Sequence, residues 1–224
     1  MNTAGPEIFA PDFKDEPYWW EHTPRPALPQ VDLPGQVDVL VIGSGYTGLC
    51  AALQTARGGR LTLVIDAEDP GWGCSSRNGG QVSSSIKPDF AHLAKQYGES
   101  KARQVLAEGQ RALAWIGEFV SEEGIDCDFK LSGRFYGAHT PVHYQKLARL
   151  LDSQTGDSAT GAYLVPRSEQ HAEINSDYYH GGLVHSKHAA LDPAAYHQGI
   201  LQRALASGVQ VLGNCPALTI EQDG

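Results

Sequence analysis

The first strong apolar pattern is residues 37–42, Val-Asp-Val-Leu-Val-Ile, a β-branched run broken only by Asp38. A run this short and this apolar predicts a strand buried on both faces, as in a parallel sheet. Residues 49–57 carry small and apolar side chains on one helical face, and residues 61–65, Leu-Thr-Leu-Val-Ile, predict a second buried strand ending at Asp66. Strand, glycine turn, helix and strand make one βαβ unit.

Ahead of this unit, residues 1–36 read as an irregular lead-in, because Pro24, Pro26, Pro29 and Pro34 forbid a long helix. Tyr18, Trp19 and Trp20 predict a short helical turn that anchors aromatic rings on the body of the protein. After the unit, residues 67–88 are rich in Gly and Ser and predict a loop. Residues 90–97 predict a short helix. Residues 100–123 predict a longer one, with Val105, Leu113, Ile116 and Val120 near helical spacing and Ser100 as its cap. From 125 the pattern changes to short strands: one or two within 129–138, then pieces at 163–165 and 182–185. Between them, 141–151 predicts a helix with Tyr144, Leu147 and Leu151 facing inward. Residues 193–206 predict an amphipathic helix stopped by Gly208, and 209–212 a buried strand. Residues 218–222 alternate like a strand. Asp223-Gly224 is then a hairpin signal with no returning strand, so the sequence reads as the N-terminal part of a longer protein.

Composition narrows the class. The 224 residues, 41% hydrophobic and 19% charged, fit a soluble globular protein of one large or two small domains. A net charge of −9 argues against nucleic acid and anionic membrane as partners. The N-terminus lacks the basic start and apolar run of a secretory signal, and the 37–42 run is too short to span a bilayer. Cys50, Cys74, Cys127 and Cys215 lie far apart without C-x-x-C spacing, which reads as reduced thiols in a cytoplasmic protein. The histidines, His139, His143, His171, His180, His185, His188 and His197 among them, show no H-E-x-x-H or H-x-H spacing, so no metal site is expected. No Ser-His-Asp order or paired-carboxylate motif supports hydrolysis.

Two segments carry chemistry. Gly43-Ser44-Gly45-Tyr46-Thr47-Gly48 fits G-x-G-x-x-G directly after a strand and at the start of a helix. Gly43 permits the tight turn, Gly45 lets a pyrophosphate approach the backbone, and Gly48 lets helix and strand pack closely. The free N–H groups and dipole of the helix N-terminus favour the anion. Asp66, about twenty residues on, is placed to bond adenosine ribose hydroxyls and to repel a 2′-phosphate. The second segment runs Gly71-Trp72-Gly73-Cys74-Ser75-Ser76-Arg77-Asn78-Gly79-Gly80-Gln81. Its exposed amides, hydroxyls and guanidinium suit a phosphate or a polar ring edge; from composition alone it equally suits a flexible surface loop.

Taken together, residues 41–49, Gly71-Trp72-Gly73 and Ser76-Arg77-Asn78-Gly79-Gly80-Gln81 resemble the D-amino-acid oxidase superfamily of flavoproteins, which includes glycine oxidase and sarcosine oxidase. Pro17-Tyr18-Trp19-Trp20 through Leu33, and residues 191–199 with Gly208-Val209, are most similar to its gamma-glutamylputrescine oxidoreductase-like branch. Two positions depart from that pattern: Asp66 stands where Glu is usual, and Cys50 where Ser or Ala is common. The resemblance implies an α/β fold, a Rossmann-like FAD-binding domain with an inserted α+β substrate domain, both truncated at the C-terminus. It implies 37–124 and 186–224 for the FAD domain and 125–185 for the start of the substrate domain. It implies FAD with its pyrophosphate at Gly43, Ser44, Gly45, Tyr46, Thr47 and Gly48, its ribose at Asp66, and its adenine near the backbone of Ala217 and Leu218. Ser76, Arg77, Asn78, Gly79 and Gln81 would wrap the pyrophosphate and approach the isoalloxazine. The implied reaction oxidises a C–N bond of a small amine or amino acid by hydride transfer to flavin N5, and the imine then hydrolyses.

Catalytic residues are not assigned. Two readings remain: a fragment of an FAD-dependent amine oxidoreductase, or a non-catalytic FAD- or nucleotide-binding module completed by a partner chain. A third, an NAD-dependent dehydrogenase, is predicted to fail.

Overall fold

The computed structural model describes residues 8–152 and 161–222. In chain order the elements are β1 (Val39–Ile42), α1 (Tyr46–Arg57), β2 (Thr62–Ile65), β3 (Gln81–Ser83), α2 (Phe90–Tyr97) and α3 (Glu99–Glu122). There follow β4 (Arg134–Gly137), α4 (Pro141–Asp152), β5 (Tyr163–Val165), β6 (Gly182–His185), β7 (His188–Ala190), α5 (Pro193–Ala206) and β8 (Gln210–Leu212). Short 3₁₀ turns form at Tyr18–Glu21, Cys74–Ser76 and Arg167–Ala172.

The βαβ unit forms where the hydrophobic pattern places it. β1 and β2 are parallel with Val41 opposite Val64, and β8 joins the other side of β2 with Val64 opposite Val211. Helices α1 and α5 pack on one face of this sheet. Leu49 and Leu53 from α1, Ile200 and Leu201 from α5, and Val64 and Val211 from the sheet are all at most 1% exposed and form the main core. Asp192 caps α5, its Oδ1 accepting from the amides of Ala194 (2.8 Å) and Ala195 (3.0 Å), and Pro193 opens the first turn without wasting a donor.

Several expectations need correction. The central strand β2 is buried along its length, but β1 alternates, with Leu40 49% and Ile42 51% exposed. β1 lies at the edge of this sheet, and the helices cover only the face that carries Val41. The segment 67–88 is not simply a loop. It contains the Cys74–Ser76 turn and β3, which pairs antiparallel with β7, a strand the hydrophobic pattern did not show. Gln-Val-Ser and His-Ala-Ala are too short and too polar to announce strands; each is made one by the other. Helix α3 starts at Glu99, and Gly98, not Ser100, occupies the capping position. With φ +81, Gly98 turns the chain from α2 into α3 in a single residue. Residues 218–222 lie in no regular element, and Leu218 and Ile220 are 89% and 81% exposed, because no described strand lies beside them to share a ladder. The hairpin signal at Asp223-Gly224 lies outside the described residues.

A second antiparallel sheet has the order β4-β6-β5. Helix α4 covers it through Leu147, which joins Ala138 and Leu183 in a smaller core flanked by Tyr144 and Leu151, the inward positions its periodicity predicts. Ile125 and Cys127 belong to the main core, on the side of α1 and α5.

Candidate cofactor site

The site is built on the glycine turn between β1 and α1. Gly43 has φ +97, a left-handed conformation that side chains rarely adopt. A Cβ on Gly48 would sit 2.0 Å from Gly43 O, so only glycine lets the helix press onto the turn. Tyr46 N–H donates to Ser75 Oγ (3.2 Å). Among the described residues the amides of Gly45, Thr47 and Gly48 find no protein acceptor. Unsatisfied donors at a helix N-terminus whose N-cap supplies no side-chain acceptor make an anion cradle.

Asp66 closes the other side. Its Oδ2 accepts from Ser44 N–H (2.7 Å) and Ser44 Oγ–H (2.6 Å), and its Oδ1 from Glu68 N–H (3.1 Å). Burial works to raise its pKa, but these donors and nearby His197 outweigh it and hold the carboxyl below its ordinary value. A carboxylate offers about four acceptor positions, so one on Oδ1 stays open to a hydroxyl. Cys215 N–H donates to Asp66 O (2.7 Å), which brings the chain to the same corner two residues before Ala217. Ala217 and Leu218 are themselves exposed.

The second segment folds against the first. Asn78 organises it: Nδ2 donates to Tyr46 OH (3.3 Å) and Cys74 O (3.1 Å), and Oδ1 accepts from Gly80 N–H (2.8 Å). Tyr46 OH in turn donates to Pro193 O (3.1 Å), and burial pushes its pKa up to about 12. Ser76 is turned inward, its hydroxyl donating to Gly71 O and accepting from Trp20 Nε1 (2.8 Å). The Arg77 guanidinium lies over the Trp72 ring, 4.0 Å from its centroid, and 5.6 Å from that of Trp20. These two side chains therefore serve the protein's own loop, while Gly79 and Gln81 are exposed. A cleft of about 490 Å³ opens beside Tyr46 and Thr47, with Asn78, Gln81, Trp115 and Tyr196 among its walls.

Ser75, Trp19, Trp20 and His197 contribute beyond the site residues that the motifs mark, and the anchoring role expected of the two tryptophans falls on the second loop. Ser75 touches the glycine turn; its place inside the loop was visible but its direction was not. Trp19 and Trp20 latch the lead-in onto the loop, through Trp19 Nε1 to Asn78 O (2.9 Å) and Trp20 to Ser76. His197 reaches Ser44 O from α5 (2.7 Å). Among the described residues no three His, Cys, Asp or Glu side chains gather as metal ligands. No described helix is long and apolar enough to cross a membrane.

A glycine turn on a parallel sheet, a carboxylate after the second strand and an anion cradle define a dinucleotide-binding protein. The family of FAD dependent oxidoreductases known as DAO matches residues 38–224, and the chain belongs to it. Its cofactor is FAD, and the cradle and the open acceptor on Asp66 fit that molecule's pyrophosphate and ribose. The chain is 28% identical over 204 residues to the probable oxidoreductase OrdL of Haemophilus influenzae, covering 89% of this chain and 46% of that protein. It is 33% identical over 150 residues to gamma-glutamylputrescine oxidoreductase of Escherichia coli, covering 66% of this chain and 34% of that one. Among solved structures, L-amino acid deaminase from Proteus vulgaris superposes with a TM-score of 0.68 at 19% identity, over 88% of this chain and 49% of that one. The chain thus spans less than half the length of these relatives.

Proposed function

We propose that the protein oxidises a C–N bond in a small amine or amino acid, with a gamma-glutamylputrescine-like compound as the leading candidate substrate. The observation that carries this reading is the joined pair of loops, in which Asn78 ties the 71–81 segment to Tyr46 at the cradle. The 33% identity to gamma-glutamylputrescine oxidoreductase supports the substrate class.

FAD, when bound, supplies the hydride acceptor. The chain's own residues bind and orient it. The Gly45, Thr47 and Gly48 amides take the pyrophosphate, Asp66 takes a ribose hydroxyl, and the backbone near Ala217 and Leu218 faces the adenine. The cleft beside Thr47 and Gln81 receives the flavin end, so the Ser76–Gln81 segment contributes mainly through its backbone and Asn78. Within residues 125–185, the β4-β6-β5 sheet and α4 form the substrate lobe, while Ile125 and Cys127 join the core of the FAD domain. The chain's four cysteines, Cys50, Cys74, Cys127 and Cys215, are all free, in keeping with a cytoplasmic setting.

The test is anaerobic mixing of the FAD-loaded protein with a panel of amines and amino acids that includes gamma-glutamylputrescine. Bleaching of the flavin absorbance by a panel member is expected. Stable FAD binding with no bleaching by any of them would favour a cofactor-binding module completed by another chain.

A further inference from the structure

Helix α5 enters the cofactor site through one side chain. His197 is 2% exposed, and its Nε2 lies 2.7 Å from Ser44 O, 153 residues away in sequence. A carbonyl oxygen only accepts, so Nε2 carries the proton and Nδ1 is bare. The ring also fills the space beside Gly71, where an added Cβ would stand 2.4 Å from Cε1 and 2.5 Å from Nδ1. His197 therefore touches both loops that the sequence motifs mark.

The hydrogen bond fixes one peptide plane. In a trans peptide the carbonyl and the following N–H point in opposite directions. With Ser44 O held by His197, the Gly45 N–H points away from the histidine, onto the open side of the helix N-terminus. Gly45 cannot hold that orientation itself, since glycine opposes rotation least of all residues. A flipped peptide would turn a carbonyl lone pair toward the anion in place of a donor.

We propose that His197 is a positioning residue for FAD: by donating to Ser44 O and filling the space at Gly71, it holds both loops in the arrangement that receives the pyrophosphate. The proposal rests on the FAD site and not on the choice of substrate. The groups facing the ring suit a neutral donor. Burial lowers the histidine pKa most, Arg25 acts in the same direction, and the Ser44 carbonyl and Asp66 oppose them without reversing the result.

The test is FAD titration of the flavin-stripped protein, without substrate, for the unsubstituted protein, His197→Leu and His197→Gln. Glutamine places an amide nitrogen at the same number of bonds from Cβ as Nε2 and can still donate. His197→Leu is expected to weaken FAD binding about tenfold, the scale of one lost hydrogen bond, and His197→Gln to stay within about threefold. Equal losses in both variants, or an undiminished His197→Leu, would overturn the proposal. Should His197→Leu fail to fold, ¹⁵N NMR of the unsubstituted protein decides: the Nε2–H tautomer is expected, and the Nδ1–H tautomer overturns it. Failure of the unsubstituted protein to bind FAD would overturn the cofactor site itself, which separates the two outcomes.

Discussion

Gly48→Ala tests the cradle most directly. The new methyl would lie 2.0 Å from Gly43 O, and 3.2 Å from both Gly43 C and Val41 Cγ1. Carbon contacts settle near 3.5 Å, so α1 must retreat from the turn by roughly 1 Å or more. Overpacking of this kind costs about 1–3 kcal/mol, and the contact with unyielding backbone places it at the upper end. Alanine returns about 1 kcal/mol through its better helix propensity. The net loss is about 2 kcal/mol, or roughly 4–8 °C in unfolding midpoint for a chain of this size. The same retreat moves the Thr47 and Gly48 amides out of register with an anion, so FAD binding should weaken at least tenfold. Gly35→Ala is the control, because nothing lies within 4 Å of its added Cβ. Thermal unfolding of the apoproteins and FAD titration give both quantities. If Gly48→Ala unfolds with Gly35→Ala and binds FAD as tightly, the close approach of helix and turn has no part in holding the cofactor.

Three further outcomes follow from the geometry. Gly79→Ala meets no protein atom within 4 Å, so the apoprotein should unfold unchanged while FAD affinity drops; equal affinity would remove Gly79 from the site. Asp66→Asn keeps one acceptor but sets an NH₂ against either Ser44 or Glu68 N–H, and should cost about 1–3 kcal/mol of apoprotein stability together with FAD affinity, read in the same two assays. Burial is the largest cause lowering the pKa of His185, His188 and His197. The unfolded chain therefore takes up protons near pH 6.5 and the folded chain only at lower pH. Stability should be full above about pH 6.5 and fall as the pH drops below it. The midpoint at pH 5.5 should lie below that at pH 7, less so in His197→Gln, and a flat profile would contradict the burial argument.

Much of the cradle was legible because it is local. Gly43, Gly45 and Gly48 act within one turn, and Asp66 follows a strand whose apolar run ends at it. The neighbouring loop was less so. Its residues were visible, but composition could not say that Ser76 and Arg77 turn back onto Gly71, Trp20 and Trp72 while Ser75 faces the glycine turn. Those directions depend on the lead-in packing onto the loop, across 56 residues in the case of Trp20 and Ser76.

By itself the sequence determined the βαβ unit, the stop of α5 at Gly208, and the family, because hydrophobic period and glycine spacing act over a few neighbours. Only the tertiary structure decided that β3 exists by pairing with β7, that β1 is an edge with Leu40 and Ile42 uncovered, and that residues 218–222 form no ladder. It also decided that His197 holds Ser44. Each of these depends on what a segment meets across the fold, and a strand's pairing or a buried donor's acceptor is not encoded in the period of its own residues.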